Sequence, residues 1–286
     1  MKITEMRKLM ADELRELYPE REISHLWEQL SDWATGLDRI KLALEPDREL
    51  TRREFEKLQL GLEALKRFEP VQYITGKAWF YGYELQVSKD VLIPRPETEE
   101  LVHWILEEHK DRMGLKVLDI GTGSGCIAIA LGKKLDHPSI TATDVSQAAL
   151  DIAGKNINLH GLSIHLLTAD ILDRSLWTES GRYDIIVSNP PYVRISEKKD
   201  MLPNVLNYEP ALALFVDDDD PLVFYRAIGE FARNNLSDHG CLYLEINENL
   251  GKDTLQLMRG IGFLVAEVKR DMQGKERMLK ASGLPS

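Results

Sequence analysis

The sequence predicts an α/β protein: an open, seven-stranded, Rossmann-like sheet, mostly parallel, behind a small N-terminal all-α domain. Three observations carry this. From residue 92 onward, short apolar runs alternate with helical stretches, the grammar of strand–crossover–strand units. One run ends in a glycine loop, Val117-Leu-Asp-Ile-Gly-Thr-Gly-Ser-Gly-Cys126, which reads as a strand, a tight turn and a helix start. Residues 1 to about 75 instead carry apolar side chains three and four apart, the helical period.

In the front segment, Ile3, Met6, Met10, Leu14 and Leu17 predict a first helix that Pro19 ends. Ile23, Leu26, Trp27, Leu30 and Trp33 form a second stripe. Thr51-Arg-Arg-Glu54 is a capping-box pattern, followed by Phe55, Leu58, Leu62 and Leu65 on one face. These stripes read as a small helical core without a catalytic constellation, so residues 1–75 are expected to form a docking domain. Trp79-Phe-Tyr-Gly-Tyr-Glu-Leu-Gln-Val87 is aromatic and β-rich around Gly82, and predicts a hairpin linker over 76–91. Residues 92–286 form the α/β domain, with strands expected at Lys116–Asp119, Ile140–Asp144, Ile164–Thr168, Asp184–Ser188, Cys241–Ile246, Phe263–Lys269 and Arg277–Lys280. The last two are joined by Asp271–Glu276, too short for a crossover, so that pair must be antiparallel.

Composition narrows the function. With 43% hydrophobic and 29% charged residues the chain reads as globular, and it has no run long enough to span a membrane. The charged first ten residues do not read as a secretory signal, so a cytoplasmic location is expected. Cys126 and Cys241 sit apart in apolar stretches and read as buried thiols. The seven histidines show no metal spacing, so no metal is expected. A net charge of −11 opposes binding to a nucleic-acid backbone, although a local basic patch stays open, and favours a protein or small-molecule substrate.

The glycine loop has the spacing Gly121, Gly123, Gly125, with Thr122 and Ser124 between, and Ser124 or Gly125 opens the helix. Glycine permits the turn and the close approach of a ligand, and helix N-terminal N–H groups can hold a carboxylate. Asp119, two positions before the first glycine, would oppose the pyrophosphate of a dinucleotide but attract the ammonium and sulfonium of S-adenosylmethionine. Asp144 ends the next strand about twenty positions past the glycines, placed to accept two ribose hydroxyls; the alternative is an N-cap for a helix over 146–159. Asp170 could accept from an adenine amino group with Ile171 packed on the ring; the alternative is a simple turn aspartate. Pro96 with Glu97, Glu99 and Glu100 is good helix-start chemistry, which leaves Arg95 open as part of a rigid loop over the cofactor's methionine end.

The run Tyr183-Asp-Ile-Ile-Val-Ser188 stops in Asn189-Pro190-Pro191-Tyr192. Each proline holds φ near about −65° and lacks an N–H, and Pro191 pushes Pro190 into an extended conformation. The stiff turn gathers an amide oxygen, backbone carbonyls and an aromatic face. It suits a planar group bearing NH2, an adenine or a carboxamide.

Together with Pro70-Val-Gln-Tyr-Ile-Thr-Gly76, Ile93-Pro-Arg-Pro-Glu-Thr-Glu99, Glu209-Pro-Ala-Leu212 and Leu244-Glu-Ile246, these motifs resemble the HemK/PrmC group, the N5-glutamine methyltransferases of class-1 peptide chain release factors. The resemblance runs from residue 70 to about 246, and the helical front end fits it. It implies a class I methyltransferase sheet and S-adenosylmethionine held by Gly121–Gly125, Asp144, the position of Ile171, and Asn189. It also implies a release-factor glutamine held by Asn189, Pro190, Pro191 and Tyr192. The expected chemistry places the two amide N–H groups of that glutamine on the Asn189 side-chain oxygen and the Pro190 carbonyl, with Tyr192 stacked on the amide. Family members usually carry Gly-Gly and Asp-Gly where this chain has Phe215-Val-Asp-Asp-Asp-Asp-Pro-Leu222, glycine where it has Asn247, and tryptophan at the position of Ile171. The aspartates suggest Asp220 as N-cap and Pro221 as first residue of a helix over 221–236. A monomer is expected, acting on release factors without direct contact to nucleic acid or membrane.

The rivals are an adenine-N6 methyltransferase, disfavoured by the acidic charge, and a ribosomal-protein glutamine methyltransferase, whose front end would differ. A non-enzymatic scaffold would show an eroded site, and an NAD dehydrogenase would need a hydride-transfer acid or base.

Overall fold

The computed structural model describes residues 1–176 and 182–284. The chain divides into two compact units, Met1–Lys77 with Leu202–Tyr208, and Ala78–Met201 with Glu209–Ser286.

The first unit contains α1 (Ile3–Leu14), α2 (Glu20–Thr35), α3 (Arg39–Leu44), α4 (Arg52–Lys66) and α5 (Val71–Thr75). Its core is the set of stripes read from the sequence: Ile3, Met6, Met10 and Leu14 meet Ile23, Leu26, Trp27 and Leu30, and Leu58, Leu62 and Leu65 close it. The Thr51 box forms, with Thr51 Oγ1 accepting from Glu54 N and Glu54 Oε2 from Thr51 N. One boundary differs. The first helix stops at Leu14, Leu17 is 38% exposed, and Pro19 is the N-cap of α2 rather than the end of α1. A proline that cannot continue one helix is well suited to begin another.

The second unit starts with a hairpin, β1 (Lys77–Phe80) and β2 (Tyr83–Gln86). Tyr81 and Gly82 both take positive φ, 51° and 81°, the geometry of a tight two-residue turn. Phe80 and Leu85 enter the core of this unit, and the Asn156 amide bridges the Gln86 N–H and carbonyl. Then come α6 (Pro96–His109), β3 (Lys116–Ile120), α7 (Cys126–Lys134), β4 (Ser139–Asp144), α8 (Gln147–Leu159), β5 (His165–Thr168), β6 (Tyr183–Ser188) and β7 (Val193–Arg194). A short helix α9 (Pro203–Tyr208), part of the first unit, precedes β8 (Phe215–Val216), α10 (Val223–Asn235), β9 (Leu236–Glu245), α11 (Gly251–Ile261), β10 (Val265–Arg270) and β11 (Glu276–Ser282).

The seven-stranded sheet has the order β10-β11-β9-β6-β3-β4-β5. Strands β9, β6, β3, β4 and β5 pair in parallel, and β11 is antiparallel to both of its neighbours, as the short last connection requires. Alternation along the strands builds a core on each face. Val117, Ile185, Val187, Cys241 and Tyr243 join one; Leu118, Ile120, Ile186, Leu242 and Leu244 join the other, with α10 and α11. Strand order reverses at β3, so the carboxyl ends of β3, β4, β5 and β6 surround a crevice, where ligands bind in open α/β sheets.

The helix expected from Asp220 and Pro221 begins later. α10 starts at Val223 with Leu222 at its cap, and the Asp220 carboxylate accepts from the Arg226 guanidinium in the first turn of that helix at 2.8 and 3.0 Å.

Candidate active site

At the crevice lies a cavity of about 360 Å³, in the range of small-molecule sites. Gly121, Thr122, Gly123 and Ser124 line it after β3, Asp144 after β4, Asp170 and Ile171 after β5, and Asn189, Pro190 and Pro191 after β6; Arg95 joins them from ahead of α6. Asp119, Gly125 and Tyr192 stand behind the wall.

The glycine loop is shaped by backbone bonds. Gly121 N and Thr122 N donate to the Thr143 carbonyl at 2.8 and 2.9 Å, and Gly125 N donates to the Thr122 carbonyl at 2.8 Å. Gly121 and Gly123 have φ of +72° and +54°, and a Cβ on either would enter open space within the cradle. Gly125, also at positive φ, is the N-cap of α7, where a Cβ would meet Ala153 at 3.3 Å.

Asp119 is wholly buried beneath this loop. Its Oδ2 accepts from the Thr122 hydroxyl at 2.7 Å, while Oδ1 has no hydrogen-bond partner among the described residues. Burial pushes its carboxyl up to about 7, with the Thr122 hydroxyl and the Ala128 N–H opposing the rise and the nearby Asp144 adding to it. A buried oxygen left without a partner is costly, and a cationic ligand would relieve that cost. Cys126, on the cavity wall, has its thiol pushed up to about 12 by burial and by Asp119, so it stays protonated and unreactive.

Asp144 is not the cap of the helix that follows. Ser146 caps α8, its Oγ accepting from Ala149 N, while Asp144 accepts from Gly123 N and Ser146 N at 2.9 Å each. The carboxylate therefore fastens the glycine loop to the end of β4. Burial raises its pKa, and these N–H groups oppose the rise. Asp170 does make a turn, Oδ1 accepting from Leu172 N at 2.9 Å, and still lines the cavity beside Ile171.

The rigid turn at the end of β6 is braced from two directions. Asn189 Nδ2 donates to Thr98 Oγ1 at 3.1 Å, and Thr98 Oγ1 donates to Glu245 Oε2 at 2.6 Å. The Tyr192 hydroxyl donates to Glu245 Oε1 at 2.9 Å, and its ring packs against the core on the α10 side. Tyr192 thus presents its edge to Glu245 and does not form part of the cavity wall. Arg95 is engaged by the buried Glu209 at 2.5 Å, whose other oxygen accepts from Ile93 N at 3.3 Å. This pair ties the Pro-Arg-Pro loop to the Glu-Pro-Ala-Leu segment.

Residues 5–76 match the PrmC N-terminal domain and residues 98–208 the methyltransferase small domain. The release factor glutamine methyltransferase of Flavobacterium psychrophilum is 44% identical over 285 residues, covering 99% of each chain. The chain belongs to the release factor glutamine methyltransferase family. The family's Bacteroides thetaiotaomicron member is 41% identical over 269 residues, covering 94% of this chain and 96% of its own. A 16S ribosomal RNA methyltransferase of T. thermophilus, solved with AdoMet and guanosine, is 21% identical with a TM-score of 0.52, covers 72% of this chain and 49% of its own, and shares the fold.

The glycine loop, the Pro-Arg-Pro segment, the Asn-Pro-Pro-Tyr turn and the Glu-Pro-Ala-Leu segment supply residues to this cavity, yet three residues of the quoted motifs had no role assigned to them: Thr98, Glu209 and Glu245. A signal existed for Glu245. A lone carboxylate inside the apolar run Cys241–Ile246 must find donors when buried. Among the described residues no group of three or more His, Cys, Asp or Glu could hold a metal ion, and no helix is long and apolar enough to cross a membrane.

Proposed function

We propose that this protein methylates the side-chain amide nitrogen of the glutamine in the Gly-Gly-Gln loop of class-1 peptide chain release factors, using S-adenosylmethionine. The observation that carries it is the Asn189 amide at the carboxyl end of β6, its nitrogen held by Thr98 at 3.1 Å beside the glycine cradle. The chain fits the methyl donor: a cradle open above Gly121 and Gly123, and a buried Asp119 oxygen in want of a positive partner. Gly121–Gly125 and Asp119 would hold its methionine end, Asp144 its ribose, and Asp170 and Ile171 its adenine. When bound, it supplies an electrophilic methyl group on a sulfonium.

The protein's task is orientation. A primary amide nitrogen is a poor nucleophile because its lone pair is delocalised. The Asn189 side-chain oxygen and the Pro190 carbonyl accept the two N–H bonds of the glutamine, which turns that lone pair toward the methyl donor and favours its localisation. Pro191 keeps the two acceptors rigid, Tyr192 braces the turn through Glu245, and Arg95 holds the overlying loop through Glu209. No strong base is required, because the nitrogen becomes acidic once alkylated. Positioning and fixed dipoles carry the rate. The helical residues 1–75 dock the release factor, the hairpin over 76–91 leads into the catalytic domain, and the protein works as a cytoplasmic monomer without direct contact to nucleic acid.

Radiolabel transfer decides it. Release factor, ribosomal protein and nucleic acid are offered separately. Label on the Gly-Gly-Gln glutamine, mapped by mass spectrometry, is expected; label only in ribosomal protein or nucleic acid overturns the reading.

A further inference from the structure

We propose that Glu245 is a positioning residue that fixes which way the Asn189 amide faces, acting through Thr98. The inference rests on the reading above, in which Asn189 meets the acceptor glutamine with its oxygen. The three residues come from three elements: Thr98 from the first turn of α6, Asn189 from the end of β6, and Glu245 from the end of β9.

The logic is one of hydrogen-bond polarity. A threonine hydroxyl has one proton to donate. Thr98 gives it to Glu245 Oε2 at 2.6 Å, so its oxygen offers only lone pairs to other neighbours. Asn189 can then approach Thr98 only with its NH2 branch, and Nδ2 lies there at 3.1 Å. The carbonyl branch is left on the opposite side, toward the cavity that Asn189 lines. A flipped amide would set two NH2 groups, its own and the substrate's, against each other. Burial raises the Glu245 carboxyl, and the Thr98 and Tyr192 hydroxyls and the Arg277 charge oppose the rise; as a carboxylate it cannot donate, which fixes the direction of the chain, whereas a glutamine there could donate or accept and would let the chain run either way.

Two further facts support the assignment. Glu245 is almost wholly buried (1% exposed) within an apolar strand, where an uncharged side chain would carry a smaller desolvation cost. Its other oxygen takes the Tyr192 hydroxyl at 2.9 Å, so one carboxylate holds both ends of Asn189-Pro-Pro-Tyr192.

The test uses the full-length chain, S-adenosylmethionine and a release factor carrying Gly-Gly-Gln. Thr98→Val and Glu245→Gln are expected to lower kcat by about 10- to 100-fold, the cost of a misplaced reacting group, while KM for S-adenosylmethionine stays close to wild type. Thr98→Ser restores the hydroxyl and should recover kcat. The double variant should be no slower than the slower single one, because both cut the same chain. Thr98→Val at wild-type kcat, or Thr98→Ser falling as far as Thr98→Val, overturns the proposal. Should Glu245→Gln lose its cooperative unfolding transition, the two Thr98 variants decide alone.

A second measurement is independent of the acceptor. The side-chain 1H–15N signals of Asn189, assigned by their loss in Asn189→Asp, should move in Thr98→Val and stay in Thr98→Ser. Signals that behave so in a protein unable to methylate release factor remove the functional reading and keep the relay. Normal transfer with signals unmoved in Thr98→Val removes the relay and keeps the reading.

Discussion

With Asp119 as the proposed partner of the cationic ligand, cofactor affinity should depend on pH. Its folded pKa, about 7, stands above the ordinary 3.8. A raised carboxyl contributes stability that is complete below its unfolded value and is lost as pH rises through its folded one. The free protein should therefore lose stability between about pH 4 and pH 7 on account of this group. Binding a cation beside the unpartnered Oδ1 reverses the preference, because the ionised form is then the one stabilised. Below pH 7, binding must expel a proton, and Kd for S-adenosylmethionine should tighten roughly tenfold per pH unit, about 1.4 kcal/mol, before levelling off above 7. Titration calorimetry at pH 5.5 and 6.5, in two buffers of different ionisation enthalpy, reads both the affinity and the protons released. Asp119→Asn should bind weakly and flatten most of the slope. A Kd independent of pH, or a slope unchanged in Asp119→Asn, would refute the linkage and with it the role of Asp119 as the cationic ligand's partner.

Other outcomes follow from single side chains. Asn189→Ala should lower kcat by roughly 10²–10³-fold, the cost of losing one preorganised acceptor, and a loss of tenfold or less at saturating cofactor contradicts that role. Asp144→Ala should weaken cofactor affinity by about 1.5–3 kcal/mol; unchanged affinity by calorimetry would reduce Asp144 to a fastener of the glycine loop. Gly240→Ala should destabilise the fold by about 1–3 kcal/mol, because its Cβ would lie 2.8 Å from the Tyr183 carbonyl and 3.0 Å from Ser237 N, backbone atoms that cannot step aside. Urea denaturation checks this, and a midpoint equal to wild type would contradict it.

Periodicity made most of the architecture legible. The stripes at Ile3–Leu14 and Ile23–Leu30, the seven strands and the antiparallel last pair are local consequences of residue spacing, and burial follows them. Boundaries fared less well where two local preferences compete. Pro19, read as the end of one helix, stands at the cap of the next, and the helix expected to begin at Pro221 starts at Val223, with Asp220 bound by Arg226 of that same helix. In the site, the residues that line the cavity were legible because the glycine loop, the Asn-Pro-Pro turn and the strand-end aspartates all sit at carboxyl ends of neighbouring strands, where an open α/β sheet forms its crevice. The layer behind the wall was not. Glu209 and Glu245 act through Arg95 and Thr98, which lie 114 and 147 positions away in sequence. Nothing local in a sequence announces such a pairing. Tyr192 shows the same limit, since its residue type suggested a stacking face while its surroundings engage its hydroxyl.

Two of the three departures from the family pattern meet at one place. Asn247, where glycine is usual, is buried, and its Nδ2 donates to the Tyr192 carbonyl at 3.0 Å and to Glu197 Oε2 at 3.1 Å. The aspartate run, where Gly-Gly and Asp-Gly are usual, supplies Asp218, which accepts from Ser196 N and from the Ser196 hydroxyl, the latter at 2.6 Å. Ser196 and Glu197 lie in the short segment directly after Asn-Pro-Pro-Tyr, and β7 within it pairs with β8. Glycines at those two flanking positions would have no side chain with which to bind the segment. Here side chains from both flanks grip it instead. Asn247 and Asp218 therefore act together, because their hydrogen bonds fix how the chain leaves the Asn-Pro-Pro-Tyr turn.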